Sequence, residues 1–190
     1  MNFNKIVDRL YDWRKERRLG LRGQIEGLLK NISGEVDEYL VARNDFEKVD
    51  AICDICVFCF NAMGDFARGK DLIKGNFANC LEDIEKKIIQ ANALFERADE
   101  LVSKEDGGWQ DNYKKAIALK CQLLDLLWEA ISLCAAEIEK MGFDFKKSMD
   151  ETLKEIESRT GHWDEAQNKF IKDNRGSYIA DYSKCKRSAK

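Results

Sequence analysis

The chain predicts an all-α fold, a helical bundle in one domain spanning 1–190, and composition, length and periodicity carry that prediction. No proline interrupts the 190 residues, 12 are glycine, and charged residues at 35% are interleaved with hydrophobic ones at 44%. This mixture favours long amphipathic helices over sheets or disorder. The length is enough for one domain to bury a real core.

Apolar spacing then places each helix. Residues 3–18 put Ile6, Leu10 and Trp13 on one stripe, and Gly20 and Gly23 loosen the chain behind them. From about 22 to 42, Ile25, Leu29, Ile32, Val36 and Leu40 form a second stripe, with Glu35 and Glu38 flanking it. Asn44 followed by Glu47 reads as a capping box opening a third helix that runs to about Met63. Residues 64–75 read as a loop. Leu81, Ile84, Ile88, Ala91, Phe95, Ala98 and Val102 alternate spacings of three and four, the seam of a helix packed along another over 79–102. A long helix follows from about Trp109 to Met141, with Ile117, Leu124, Ile131, Cys134 and Ile138 facing inward and Gly142 ending it. Ser148 with Glu151 marks a further capping box, and Gly161 is placed to stop the helix it opens. Residues 161–190 have no clear period and read as an ordered, irregular arm against the body.

Charge and cysteine content narrow the class. The net charge of −3 and pI near 5.4 come from charges spread along the chain, without the basic footprint of a nucleic-acid-polymer binder. The first 18 residues carry charges throughout and lack the apolar core of a signal peptide. Lys120, Gln122, Asp125 and Glu129 interrupt the densest apolar stretch, so it reads as a core helix and no membrane partner is expected. Seven cysteines in no disulfide spacing fit a reducing, cytoplasmic location. Cys53, Cys56 and Cys59 imitate the start of an iron–sulfur run, but helical spacing turns successive thiols around the axis, and buried small apolar side chains account for them better. His162 is the only histidine, against a di-iron bundle that needs one on each of two helices. No phosphate-binding P-loop motif is present.

Two acidic pairs carry the functional signal. The midpoint of Glu38 and Asp50 is residue 44, and that of Glu35 and Asp54 is 44.5. A hairpin folded at Asn44 therefore sets the inner acids about 9 Å and the outer acids about 14 Å from the turn on both helices. Such pairs on charged helices are ordinarily solvated faces. Facing registry makes them a cluster that repels itself unless protons or cations neutralise it, and hard Mg²⁺ prefers such oxygens.

The blocks around these acids resemble the MazG-like all-α nucleotide pyrophosphatases, particularly the short phage and bacterial members related to dimeric all-α dUTPases. Gly34-Glu35-Val36-Asp37-Glu38-Tyr39-Leu40 is similar to that family's E-E-V-x-E-L block, and Asp50-Ala51-Ile52-Cys53-Asp54-Ile55 to its D-A-I-G-D-V block. Asn61 fits seven residues later, and Trp13, Arg17 and Leu19 match the W-x-x-x-R-x-L opening helix. This likeness covers residues 6–63; helices over 79–160 and the arm 161–190 follow, with fainter likeness at 150–170 and 180–186. Gly34 stands where the family often has an acid, and Ala51 where a strict ExxD needs one. Asp50 can substitute from one residue earlier, or Glu47 and Asp50 can satisfy the spacing literally.

The resemblance implies a homodimer or homotetramer that binds Mg²⁺, with Mn²⁺ as a substitute, and hydrolyses a nucleoside triphosphate to the monophosphate and pyrophosphate, with dUTP or dCTP suggested. Glu35, Glu38 and Asp54 would serve catalysis as direct ligands, and Asp50 would hold a second ion or orient water. Trp13 is a candidate for base stacking, Asn61 for a hydrogen bond to base or sugar, and Arg17, Arg159 and Lys169 for phosphate. The competing expectation is a non-catalytic helical interaction module that keeps the bundle without the metal.

Overall fold

A computed structural model describes residues 2–74, 80–103, 109–164, 169–173 and 177–188, and for Trp109, Trp163, Lys169, Phe170 and Lys172 the backbone alone. The chain is predominantly helical. Helix α1 (Phe3–Glu16) buries Ile6, Val7 and Leu10 and is capped by Asn2, whose side chain accepts from Lys5 N at 2.9 Å. The stretch expected as one helix over 22–42 is two, α2 (Leu21–Glu26) and α3 (Leu28–Val41), separated at Gly27. Gly23 and Gly27, four positions apart, lower helix propensity at that point enough to interrupt a continuous apolar stripe.

The hairpin turn falls at residues 42–44. Helix α4 (Asp45–Met63) starts at Asn44, whose Oδ1 accepts from the backbone N–H of Phe46 and Glu47 at 2.9 and 3.1 Å. Glu47 completes the cap by accepting from Arg43 N at 2.7 Å and Asn44 Nδ2 at 2.9 Å, which commits its carboxylate to the turn. Helix α4 is the centre of the molecule, with Val49, Ile52, Cys53, Ile55, Cys56, Cys59, Phe60 and Met63 buried. It ends at Gly64, whose φ of 55° is open to glycine at little cost, and a 3-10 turn follows at Gly64–Ala67.

Helices α5 (Cys80–Ser103) and α6 (Trp109–Lys140) pair along the expected seam, burying Ile84, Ile88, Ala91 and Ala98 against Leu123, Leu127, Ile131, Cys134 and Ile138. Three residues expected inward, Leu40, Val102 and Ile117, are exposed. A periodic stripe shows which way a helix faces, and not how far along it the partner extends. Rings tie α1, α4, α6 and α7 (Phe145–Ser158) together: Phe3 lies 5.4 Å from Trp128, 6.1 Å from Phe60 and 6.4 Å from Phe145, centroid to centroid.

The capping box expected at Ser148 is displaced. Asp144 caps α7, accepting from Lys147 N at 3.0 Å, while Ser148 lies inside the helix and donates to Asp144 O. The helix stops at Ser158, before Gly161. The segment expected to be irregular contains an antiparallel pair, β1 (Thr160–Asp164) and β2 (Lys169–Asp173), in register from Thr160 opposite Asp173 to Asp164 opposite Lys169. Five-residue strands offer too few alternations for a period to declare itself.

Residues 177–187 then run back along α7 as a strap. Tyr178 N donates to Ser158 Oγ at 2.8 Å, Ala180 N to Glu155 Oε2 at 2.9 Å, and Asp181 N to Glu151 Oε2 at 3.2 Å. At the far end Asp144 N donates to Cys185 O and Arg187 N to Gly142 O, both at 2.8 Å. Tyr182 and Cys185 are buried beneath. Among the described residues no helix is long and apolar enough to cross a membrane.

Candidate functional site

The α3–α4 hairpin and the last turns of α7 bring one set of charges together. Glu35 comes from α3 and is half-buried; Glu38, one turn on, is exposed. Asp50 and Asp54 come from the facing side of α4, where Asp54 is half-buried and Asp50 keeps contact with solvent.

Their proximity shows in their protonation. Burial, then the charges of Asp54, Glu38 and Asp50, push the Glu35 carboxyl up to about 8, against a smaller pull from Arg159. Burial and the charge of Asp50 push Asp54 up to about 7, with Arg159 opposing and Glu155 and Glu38 adding to the rise. Asp50 is raised by burial of its carboxyl group, which the hydrogen bond from Tyr182 counters only in part. No compensating donors reach most of this cluster: among the described residues Glu35, Glu38 and Asp54 have no hydrogen bond or ion pair. Their oxygens remain reachable, since no buried side-chain oxygen is left without a partner.

Asp50 is the exception. Its Oδ1 accepts from Tyr182 Oη at 2.7 Å, and that hydroxyl lies 2.9 Å from Thr152 Oγ1, which itself donates to Ser148 O at 3.0 Å. A strap residue, 132 positions away in the chain, thus sets one side of the site.

Arg159, expected at the phosphate, does stand by the acids. Its Nη2 donates to Glu155 Oε1 at 2.8 Å, and its charge acts on Asp54 and Asp50. Three other candidates serve internal contacts. Trp13 Nε1 donates to Ile156 O at 3.2 Å, Arg17 lies 5.0 Å over the Trp13 ring, and Arg17 Nη2 donates to Arg159 O at 2.6 Å. They seat α1 against the C-terminal end of α7, where a cation also complements the helix dipole. Asn61 is buried, and its Oδ1 accepts from Arg14 Nη1 at 2.6 Å, two turns of α4 beyond Asp54. The Lys169 side chain lies outside the described residues.

Oxygen-only donors are the chemistry a hard divalent cation prefers, and the uncompensated carboxylates fit it in kind. Among the described residues, however, no three acidic, histidine or cysteine side chains draw together as a group that could hold a metal ion. The cavities at Ile73–Ser132, Tyr11–Asp65, Leu21–Leu124 and Asp144–Ser188 do not include these acids either. Burial pushes the Cys53, Cys56 and Cys59 thiols well up, which keeps them protonated core groups.

Two residues of the site escape sequence reasoning. Glu155 carried a signal, since Glu155 and Arg159 sit at i, i+4 on one helix face. Tyr182 carried none, because only the folded strap brings it to Asp50. No family model matches the chain, and no curated protein and no solved structure matches it.

Proposed function

We propose that the chain is a Mg²⁺-dependent nucleotide pyrophosphohydrolase of the MazG-like type, cleaving a (d)NTP between its α and β phosphates to (d)NMP and pyrophosphate. A role in cleaning the cytoplasmic nucleotide pool, with a dUTP- or dCTP-like substrate and a homodimeric or homotetrameric assembly, belongs to the same reading. One observation carries it: four carboxylates of a two-helix hairpin act on one another's charge, and among the described residues three of them have no hydrogen bond or ion pair.

Carboxylates that build structure are normally saturated by donors. Those left uncompensated raise one another's pKa and favour whatever positive charge arrives. Glu35, Glu38 and Asp54 would hold the cation, which keeps several waters and needs few protein ligands. When bound, Mg²⁺ offsets polyphosphate charge and acidifies water. One carboxylate oxygen left unligated would accept the proton of the attacking water. Arg159, whose charge acts on Asp54 and Asp50, would donate to a phosphate oxygen, and Tyr182, which donates to Asp50 Oδ1, would keep that carboxylate oriented.

The test is pyrophosphate release from a panel of (d)NTPs, with and without Mg²⁺. Glu38→Gln and Asp54→Asn should each lower the rate ~100-fold or more, the scale of losing one electrostatic stabiliser. A metal-independent rate unchanged in both variants overturns the proposal. It would favour the non-catalytic interaction module, the reading supported by the absence of a closed ligand group among the described residues.

A further inference from the structure

At the other end of α4 the charge is reversed. Arg14 is 7% exposed, yet among the described residues no carboxylate pairs with its guanidinium, whose one hydrogen-bond partner is Asn61 Oδ1. A guanidinium cannot shed its proton to escape burial, so a buried and unpaired one is costly. Burial does lower its pKa, and the charge of Asp65 offsets that only in part.

The remaining guanidinium nitrogens face an opening. Every fully buried side-chain nitrogen has a partner; the Arg14 nitrogens that have none must therefore reach solvent, and Arg14 lines a cavity of about 330 Å³. Tyr11 and Lys15 stand on its wall, both exposed, and neither has a side-chain hydrogen bond or ion pair among the described residues. Asp65 is the one acid in the lining, and its Oδ1 is taken by Arg68 Nε at 2.9 Å. Three donors, two of them cationic, thus line the space beside one carboxylate, Asp65, whose charge is shared with Arg68 through Oδ1.

We propose that this cavity binds a compact oxyanion, a carboxylate or phosphate group, on the fork of Arg14, with Lys15 and the Tyr11 hydroxyl as further donors. Asn61 fixes the guanidinium plane from behind by accepting at Nη1, leaving the other N–H groups for the planar, two-pronged contact that such anions make with arginine. The site is two turns of α4 from Asp54, roughly 10 Å along the axis, and needs neither Mg²⁺ nor the carboxylate cluster.

The side-chain Nε–Hε resonance of Arg14 in ¹⁵N-labelled protein reads the site directly. Inorganic phosphate or acetate should shift it saturably at constant ionic strength, and chloride should not; which oxyanion binds tells a phosphate site from a carboxylate site. Lys15→Gln and Tyr11→Phe, both at exposed positions, should weaken the binding about 3-fold, and Arg14→Lys, which keeps the charge but loses the fork and is followed at the backbone amide of Asp65 in the same cavity wall, about 10-fold. Asp54→Asn should leave it unchanged, so failure of the hydrolase proposal would not touch it. A shift that never saturates, or one matched by chloride, overturns the inference. So does affinity undiminished in Lys15→Gln and Tyr11→Phe, a result that stands even if Arg14→Lys does not fold.

Discussion

Glu151 and Glu155 on α7 and Glu35 and Asp54 on the α3–α4 hairpin are the same functional group in opposite circumstances. Burial by itself would raise the Glu151 carboxyl, but donation from Lys154 at 2.7 Å, from the Tyr178 hydroxyl and from the Asp181 backbone N–H outweighs it and leaves the pKa lowered. Glu155 likewise accepts from Arg159 and from Ala180 N. Both tie the strap to α7. Glu35 and Asp54 receive no such donors and are pushed up to about 8 and about 7. Glu151 stabilises the fold by being ionised, whereas Glu35 and Asp54 destabilise it by the same ionisation.

The contrast breaks most visibly at Glu151. Glu151→Ala removes one carboxylate shared by two strap donors and Lys154, and with a hydrogen bond to a charged acceptor worth about 1.5–3 kcal/mol net and these donors freed to solvent on truncation, a loss of about 3 kcal/mol is expected. Denaturant unfolding measures the cost, and limited proteolysis should cut first within 177–187. Stability equal to that of the parent protein would mean that the strap holds without Glu151.

Acidity sharpens the comparison from the other side. Glu35 and Asp54 have folded pKa values above their ordinary values of 4.5 and 3.8, so between about pH 4 and pH 8 the folded state holds more protons than the unfolded one. Stability must then fall as pH rises through that window. The full Asp54 shift would correspond to about 4 kcal/mol at 1.36 kcal/mol per unit. Because these acids keep contact with solvent, about 2 kcal/mol between pH 5 and pH 8 is the realistic size. Thermal melts of metal-free protein should show it, and Mg²⁺ should restore stability more at pH 8 than at pH 5. A metal-free melting temperature that rises over this window would contradict the assignment.

A smaller effect isolates one residue. Asp54→Asn removes the charge and nearly conserves shape, so it should gain about 1 kcal/mol at pH 8 and nothing at pH 5. Urea unfolding at the two pH values measures the difference. A loss at pH 8 would place Asp54 with the structural acids.

How much of this could be read from the chain follows from the range of each interaction. The Asn44 and Glu47 cap, the extent of α4 and the nearness of Glu35 to the charges of Asp50 and Asp54 were legible, because helix period and distance from a turn are local quantities. The break at Gly27 was not, since a continuous apolar stripe outweighed two glycines. The strands β1 and β2 were too short to show a period. Asn61 was singled out by its spacing of seven residues from Asp54, but only the fold reveals that Arg14 occupies its oxygen. Glu155 was half legible through its spacing to Arg159, and Tyr182 was illegible, because its partner is remote in sequence.

Tyr182 supplies the smallest and most discriminating prediction. Its hydroxyl lies between Asp50 Oδ1 and Thr152 Oγ1, and Thr152 already donates to Ser148 O. Two hydroxyl protons cannot serve three contacts. When Asp50 is ionised Tyr182 donates to it, and the Tyr182–Thr152 contact carries no hydrogen; a proton on Asp50 lets all three be filled in one direction, ending at Ser148 O. Tyr182→Phe therefore removes one complete hydrogen bond rather than two, and should cost about 1 kcal/mol in urea unfolding at neutral pH while the ring stays buried. If Asp50 is oriented by this phenol, the variant should also lower kcat about 10-fold with KM nearly unchanged, as loss of an outer partner of a ligand does. A stability loss with unaltered kcat would leave Tyr182 as a strap anchor and nothing more.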